Sequence, residues 1–387
     1  MKTLIAILIF PLIYLIEILI KKKVIRFGII DTSRVGHMTS PFICYLIRKK
    51  HENKKKFDFL FRTKKIANSF LYKKIYHDYF IIKFEKIFNI LDFSYQFYFK
   101  KSLNNINLNI DELDKIKNIK NLINFTDAEK KIALNKLKEI GLNNNDKWIC
   151  IHNRDDLYLK NYFPKHNWDY HNHRDFHPND FNKSINLMIN QGYFVFRMGK
   201  VTKETINFQN NKFIDFSRLE TSSKELLEIY LLSNASFYFG SDSGIFTVAM
   251  IGKRPFSFIN FPSITSMFKY YHWSLFPYIF QMRKSKKTNK YFTLNETFQL
   301  NLDNIHDGKI FKKESIQLIN NSQEEIHDLC LETIQRINGN FEQTDKQKDL
   351  QKKFNEICLK YIPIDKKIKT YPVVGSKFLE KYSEYIN

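Results

Sequence analysis

Between Trp148 and Ile259, short β-branched and aromatic runs alternate with helical patterns, and this alternation constrains the fold more than any other feature. WICIH (148–152), FVFRM (194–198), FIDF (213–216), FYF (237–239) and PFSFI (255–259) are short apolar runs of the kind that form buried strands. Between them, Pro178 to Gln191 with Gly192 as its stop, Leu226 to Leu232 behind a Ser222/Glu225 capping box, and Ile245 to Ile251 closed by Gly252 read as helices. Such an order requires a parallel sheet with helices on both faces. The pattern also opens earlier, where VIRFGII (24–30) breaks into the polar DTSRVGHMTSP before an apolar stretch from Phe42 to Ile47.

The expected class is therefore α/β, with two facing Rossmann-like domains at 24–145 and 146–314, joined near Asn143, Asn144 and Asn145. A chain of 387 residues is long enough for two cores of that size. Asn104 to Asn145 is Asn-rich and helical in its second half, where AEKKIALNKLKEIG ends on Gly141. From Phe57 to Phe99, aromatics and lysines mix without a clean period, and 315–387 reads as a mainly helical tail. Four cysteines with no C-x-x-C pair exclude a disulfide scaffold and a cysteine zinc site, and fit a reducing compartment.

The net charge of +22 accompanies a composition rich in Lys, Ile, Asn, Phe and Tyr, so overall basicity is weak evidence. Its placement says more. Lys21 to Lys74 holds sixteen Lys and Arg against Asp31, Glu52 and Asp58, which draws that end to something anionic. Just before it, Thr3 to Ile20 is interrupted only by Pro11 and Glu17, lacks a cleavage site and leads straight into Lys21, Lys22 and Lys23. At 1.5 Å per residue it reaches roughly 27 Å, marginal for a span, and Glu17 favours shallow or tilted insertion almost equally. Residues 1–23 are thus expected to anchor the chain at an anionic membrane surface, with the body on the cytoplasmic face of the inner membrane. The alternative is a first helix packed on the protein itself. Lipid is preferred over nucleic acid as the anionic partner.

The sharpest candidate site is FGSDSG (239–244), between a strand and a helix. At a strand's carboxyl end, Gly240 and Gly244 permit a tight turn, while Ser241, Asp242 and Ser243 converge with free N–H groups on one spot suited to phosphate. The loop is neither a Walker motif nor G-x-G-x-x-G, which counts against ATP cleavage and dinucleotide binding. An ordinary helix cap is the bland reading.

The stretch SKELLEIYLLSNASFYFGSDSGIFTVAMIGKRP (223–255) resembles the nucleotide-binding segment of GT-B glycosyltransferases, in particular the heptosyltransferase-like group. A wider resemblance, to a glycosyltransferase family of bacterial surface-polysaccharide loci, is carried by RFGIIDTSRVGHM, IHNRDD, HRDFHPNDFNKSINLMINQGYFVFRMGK, FIDF and the D-S-G segment. It covers most of 24–387, and its D-S-G and R-M-G elements are the specific ones. YHNHRDFHP (170–178) departs in spacing from the family's H-D-Y-R-N string. The resemblance implies transfer of a sugar from a nucleotide-sugar donor to a surface-glycan, lipid-linked acceptor, inversion at the anomeric carbon, and no obligatory metal or other cofactor.

Eleven arginines against fifty-one lysines make each Arg a place where a flat fork of donors is wanted. Arg154 and Arg197 both fall at strand carboxyl ends, the latter just before Gly199 and Lys200, and are expected to grip the donor diphosphate. Structural ion pairs are the competing reading, for Arg154 with Asp155 or Asp156. In the first domain His37 is the candidate base, with Asp31 in reserve and Arg34 beside it for an anionic group. His37 is equally readable as a helix cap or an acceptor-phosphate ligand.

His166, His171, His173 and His177 fall within twelve residues but match no zinc spacing, so His173 and Arg174 are assigned to the acceptor and no metal is expected. RKSKKTNK (283–290) reads as a solvated loop. GDP-fucose, ADP-heptose and UDP-sugars stay unranked as donors. A nucleotide-sugar epimerase and a non-enzymatic basic binding module are the rival functions.

Overall fold

The structure is a computed structural model that describes residues 2–53, 56–111, 115–116, 122–271, 276–305, 307–364 and 370–386. Parts of the Asn-rich stretch and both terminal residues lie outside the described residues. The chain divides into two compact units, Met1–Phe125 and Thr126–Asn387. Both are Rossmann-like α/β units built on parallel sheets, the class expected from the sequence.

Unit 1 is built on β1 (Ile25–Ile30), β2 (Phe57–Arg62) and β3 (Ile81–Ile82), all parallel and in that order. Asn104 adds a single parallel bridge to Phe27. The unclear stretch 57–99 resolves into two strands and two helices, Ser69–Tyr76 and Glu85–Phe99. Its period is hidden because Phe57 and Phe59 on β2 are exposed while Leu60 and Phe61 are buried. The core joins Phe27 and Phe61 from the sheet, Phe88 and Tyr95 from helix Glu85–Phe99, and Ile13 and Ile16 from the apolar N-terminus.

That N-terminal run is not one helix. It breaks into Lys2–Leu8 and Phe10–Lys21, bent by 69°, with Pro11 in the first turn of the second helix. Among the described residues no single helix is long and apolar enough to cross a membrane, though the two helices of the bent pair together have the length and apolar composition. One side of the pair packs on helix Glu85–Phe99, as the alternative reading has it, and Glu17 is buried there, bonded by the Tyr95 hydroxyl and paired with Lys21 at 3.1 Å.

Unit 2 begins at helix Asp127–Glu139, opened by a Thr126/Glu129 capping box, rather than after the asparagines at 143–145. This helix packs on helix Lys224–Asn234, so burial assigns it to unit 2. The five strands of its main sheet are β4 (Trp148–His152), β5 (Phe194–Arg197), β6 (Phe213–Asp215), β7 (Tyr238–Gly240) and β8 (Phe256–Phe258). All are parallel, in the order β6-β5-β4-β7-β8. Buried Ile149, Cys150, Ile151, Val195, Phe196 and Phe239 form the centre. All four cysteines are buried.

The tail is part of this unit. Helix Gln323–Ile337 packs on helix Asn182–Asn190, and β9 (Met282–Ser285) pairs antiparallel with β10 (Ile316–Ile319), a strand inside a tail read as helical. Arg283, expected in a solvated loop, lies on β9, buried and paired with buried Asp303 at 2.6 Å. The Ser222/Glu225 capping box does not form. The N-cap of helix Lys224–Asn234 is Ser223, at φ 59°, with no side-chain cap bond.

Candidate functional site

In unit 2 the chain steps outward from β4 to β5 and β6, then returns across β4 to build β7 and β8. The strand order reverses between β4 and β7, and at such a switch point the two following loops part and leave a crevice at the strands' carboxyl ends. The loop after β4 carries Asn153, Arg154, Asp155 and Asp156, and the loop after β7 carries Ser241, Asp242, Ser243 and Gly244. The strands meet closely there. A Cβ on Gly240 would stand 2.2 Å from the carbonyl oxygen of His152, and the Ser241 N–H donates to that same oxygen at 2.9 Å. The Ser241 hydroxyl is buried and turned to it as well, at 3.3 Å, so Ser241 ties the loops together instead of facing outward. Ser243 and Gly244 are the open part of the turn.

Arg154 is buried with its Nη1 on the His171 carbonyl at 3.1 Å and on the Asp175 carboxylate, while its Nη2 is buried without a hydrogen-bond partner. Arg174 comes from the short 3₁₀ turn Asp169–Arg174 and places Nη2 3.3 Å from His171 Nδ1; its Nε is buried and unpartnered too. Burial lowers the Arg174 pKa, and the neighbouring Arg154 lowers it further, while Asp242 and Asp175 oppose them. Burial likewise raises the Asp242 carboxyl, against the pull of Arg174 and Arg154. Asp175 is pushed up to about 6 by burial, with Arg154 opposing and Asp156 and Asp155 adding to the rise. Two arginines and two carboxylates therefore share one electrostatic neighbourhood at the switch point, with a guanidinium nitrogen of each arginine left over.

Arg197 is placed differently. It is fully buried, with Nε on Asn153 Oδ1 at 3.1 Å and Nη1 on the Glu204 carbonyl at 2.6 Å and on Asp215 Oδ2 at 3.0 Å, while its Nη2 is buried without a hydrogen-bond partner, as in Arg154. It braces the β4 loop through Asn153, and its ion pair crosses to β6. Gly199 has φ 149°, and exposed Lys200 lies 5.3 Å from the Tyr162 ring centroid. His173 turns its Nδ1 back to the Tyr170 carbonyl at 3.0 Å and packs on Phe311, so it supports the arginine-bearing turn. Arg174 is brought to Arg154 and Asp242, the residues expected from the sequence to hold the donor, whereas Arg174 itself is expected on the acceptor.

In unit 1 the loop after β1 leads into helix Val35–Lys50. Asp31 Oδ1 accepts the Ser33 N–H at 3.0 Å and the Ser33 hydroxyl, and Oδ2 lies 3.2 Å from Arg34 Nη2 and 3.3 Å from His37 Nδ1. Burial disfavours the Asp31 carboxylate, but the hydrogen bonds from His37 and Ser33 and the charge of Arg34 outweigh it and hold Asp31 well below the usual carboxylate range. Asp31 is therefore a poor proton acceptor and a good orienter. His37 sits inside the helix behind the N-cap residue Arg34, so it is not the cap, and half its side chain is exposed.

No family model and no curated protein matches the sequence. Among solved structures, the chain is similar to the structure of E. coli ADP-heptose LPS heptosyltransferase II at 10% identity and a TM-score of 0.35, over 62% of this chain and 85% of that one. That overlap is too slight to carry the fold assignment, which rests on the strand order.

Sequence reasoning passes over three residues that the site uses. Asp175 stands directly after Arg174 and neutralises Arg154. Asn153 links the β4 loop to Arg197. His152, at the end of β4, donates from Nδ1 to the Met198 carbonyl at 2.7 Å and is pushed down to about 4 by burial, so it is neutral. A histidine ending a buried strand was the available signal.

Proposed function

We propose that this chain is a GT-B glycosyltransferase that moves a sugar from a nucleotide-sugar donor to a glycan acceptor. The observation that carries this reading is the pair of buried, unpartnered nitrogens, Arg154 Nη2 and Arg174 Nε, at the switch point of the five-stranded sheet. An arginine stays charged in proteins, and a buried donor left without an acceptor costs about 1–3 kcal/mol, so an entering anion with several oxygens recovers that cost. A diphosphate has the oxygens and the charge for two forks, and needs no metal to be neutralised by them. Asp242 and Ser243 beside it suit the hydroxyls of a ribose or of the transferred sugar.

In this reading His37 is the base. The acceptor hydroxyl oxygen attacks the anomeric carbon, its proton passes to His37, the bond from that carbon to the diphosphate oxygen breaks, and the nucleoside diphosphate leaves with the electron pair. Its growing negative charge is met by Arg154 and Arg174.

The test is a thermal-shift and calorimetric panel of GDP, UDP, ADP, CMP and dTDP on the intact chain and on Arg154→Ala and Arg174→Ala. Selective binding lost in both variants supports the site. A folded protein that binds none of them overturns it, and release of free or altered sugar nucleotide without any acceptor requirement points to the epimerase instead.

A further inference from the structure

The N-terminal helix pair has one side on the protein and the other side in solvent. The solvent side carries Leu4, Ile7, Leu8, Phe10, Leu12 and Leu15, with Leu8 71% and Leu12 48% exposed. Helix Glu85–Phe99, on which the pair packs, exposes Ile87, Ile90 and Phe97 as well. Phe10 bridges the two, its ring 4.7 Å from that of Tyr98. Large contiguous apolar surfaces of this kind mark a partner, because water is a poor neighbour for them.

The charges name the partner. Residues 2–23 and 83–101 contain eight lysines against Glu17, Glu85 and Asp92. Each of the three carboxylates is engaged by the protein: Glu17 by Tyr95 and Lys21, Glu85 by the Lys64 N–H at 2.8 Å, and Asp92 by Ser102, Gln96 and the Leu103 N–H. The lysines, among them Lys2, Lys22, Lys23, Lys83, Lys86, Lys100 and Lys101, are exposed. An apolar face with a solvated cationic rim and internally compensated acids matches the headgroup and upper acyl region of an anionic bilayer.

We infer that the helix pair and helix Glu85–Phe99 form a single face that lies in one leaflet of an anionic membrane, the cytoplasmic one, without crossing it. Crossing would need the 69° bend at Ile9 to straighten and Glu17 to leave Tyr95 and Lys21 for hydrocarbon. Interfacial seating needs neither. Vesicle binding involves no donor, so this inference stands or falls separately from the proposed reaction.

The experiment uses the full chain with vesicles of phosphatidylglycerol mixed with phosphatidylcholine, and of phosphatidylcholine alone. Co-sedimentation with the mixed vesicles, weakened at least about tenfold at high salt and extracted by alkaline carbonate, is expected. Leu8→Asp with Leu12→Asp should abolish it. Lys22→Gln with Lys23→Gln, which leaves the apolar face intact, should weaken it on the order of fivefold per lysine. Circular dichroism confirms that both variants fold. Carbonate-resistant pelleting would overturn the inference in favour of a span. Absence of vesicle binding, with a concentration-dependent dimer that the leucine variant dissolves, would overturn it in favour of a second copy of the chain.

Discussion

His37 Nδ1 lies 3.3 Å from Asp31 Oδ2, and Arg34 Nη2 lies 3.1 Å from the same nitrogen. Asp31 can only accept and Arg34 can only donate, so the proton on Nδ1 decides which of them holds the ring. With Nδ1 protonated toward Asp31, Nε2 is left as an acceptor, the state a general base requires. His37→Ala should lower kcat by about 10²–10⁴-fold, and Asp31→Asn should lower it as well, both with donor affinity unchanged. Steady-state transfer rates beside calorimetric donor titration check this; an unaltered kcat in either variant would remove that residue's role.

Arg154 and Arg174 each offer an anion one nitrogen that nothing else uses. Arg174→Ala should weaken nucleotide-sugar binding by about 1.5–3 kcal/mol, the usual worth of a hydrogen bond to a charged group. Arg174→Lys should not restore it, because an ammonium cannot reproduce the fork. Equilibrium titration of both variants against wild type is the measurement.

Arg197 should behave otherwise. Its replacement by Ala leaves Asp215 and Asn153 without their buried partner, and breaking such a pair costs about 3–5 kcal/mol. The expected result is a lowered urea midpoint, with donor binding failing only as the protein unfolds. An Arg197→Ala protein of full stability that no longer binds donor would return Arg197 to the diphosphate.

Asp175 titrates near 6 in the fold because burial disfavours its charge. As pH falls through that value the carboxylate takes a proton and stops competing for Arg154, so an anion binds more tightly at lower pH. A nucleotide-sugar is the proper probe, since its diphosphate diester keeps a constant charge in this range. Affinity should rise between pH 7.5 and roughly 5.5, and Asp175→Asn should flatten the dependence. A flat profile in the wild-type protein would separate Asp175 from the anion site.

Gly240→Ala should be among the most damaging small changes in the chain. Its methyl would meet the backbone of His152 at 2.2 Å, and backbone cannot yield as a side chain can, so β7 must move away from β4. A destabilisation of at least about 2–3 kcal/mol by chemical denaturation is expected, or failure to fold.

The α/β class, the parallel strands and the glycine-serine turn after β7 were legible in the sequence because they are local. A buried strand, a tight turn and a helix stop are each written in a few adjacent residues. Which arginine serves a ligand was not legible. Arg154 and Arg197 look alike in sequence, both at strand ends, yet Arg197 meets Asp215 eighteen positions later on the neighbouring strand and commits its Nε and Nη1 to the core. Arg174 lies in an irregular polar string with no periodicity, and its turn is held by Gln281 on the His173 carbonyl at 2.9 Å and by Asn320 on the Asp175 carbonyl at 3.3 Å, residues more than a hundred positions away. The N-terminus divides in the same way. Its apolar run and lysine flank raise the expectation of a lipid surface, but whether Glu17 faces hydrocarbon or Tyr95 depends on a helix further along the chain. Hydrophobic pattern and turn chemistry act between neighbours in the chain, whereas burial and charge compensation act between neighbours in space, and only the folded arrangement decides those.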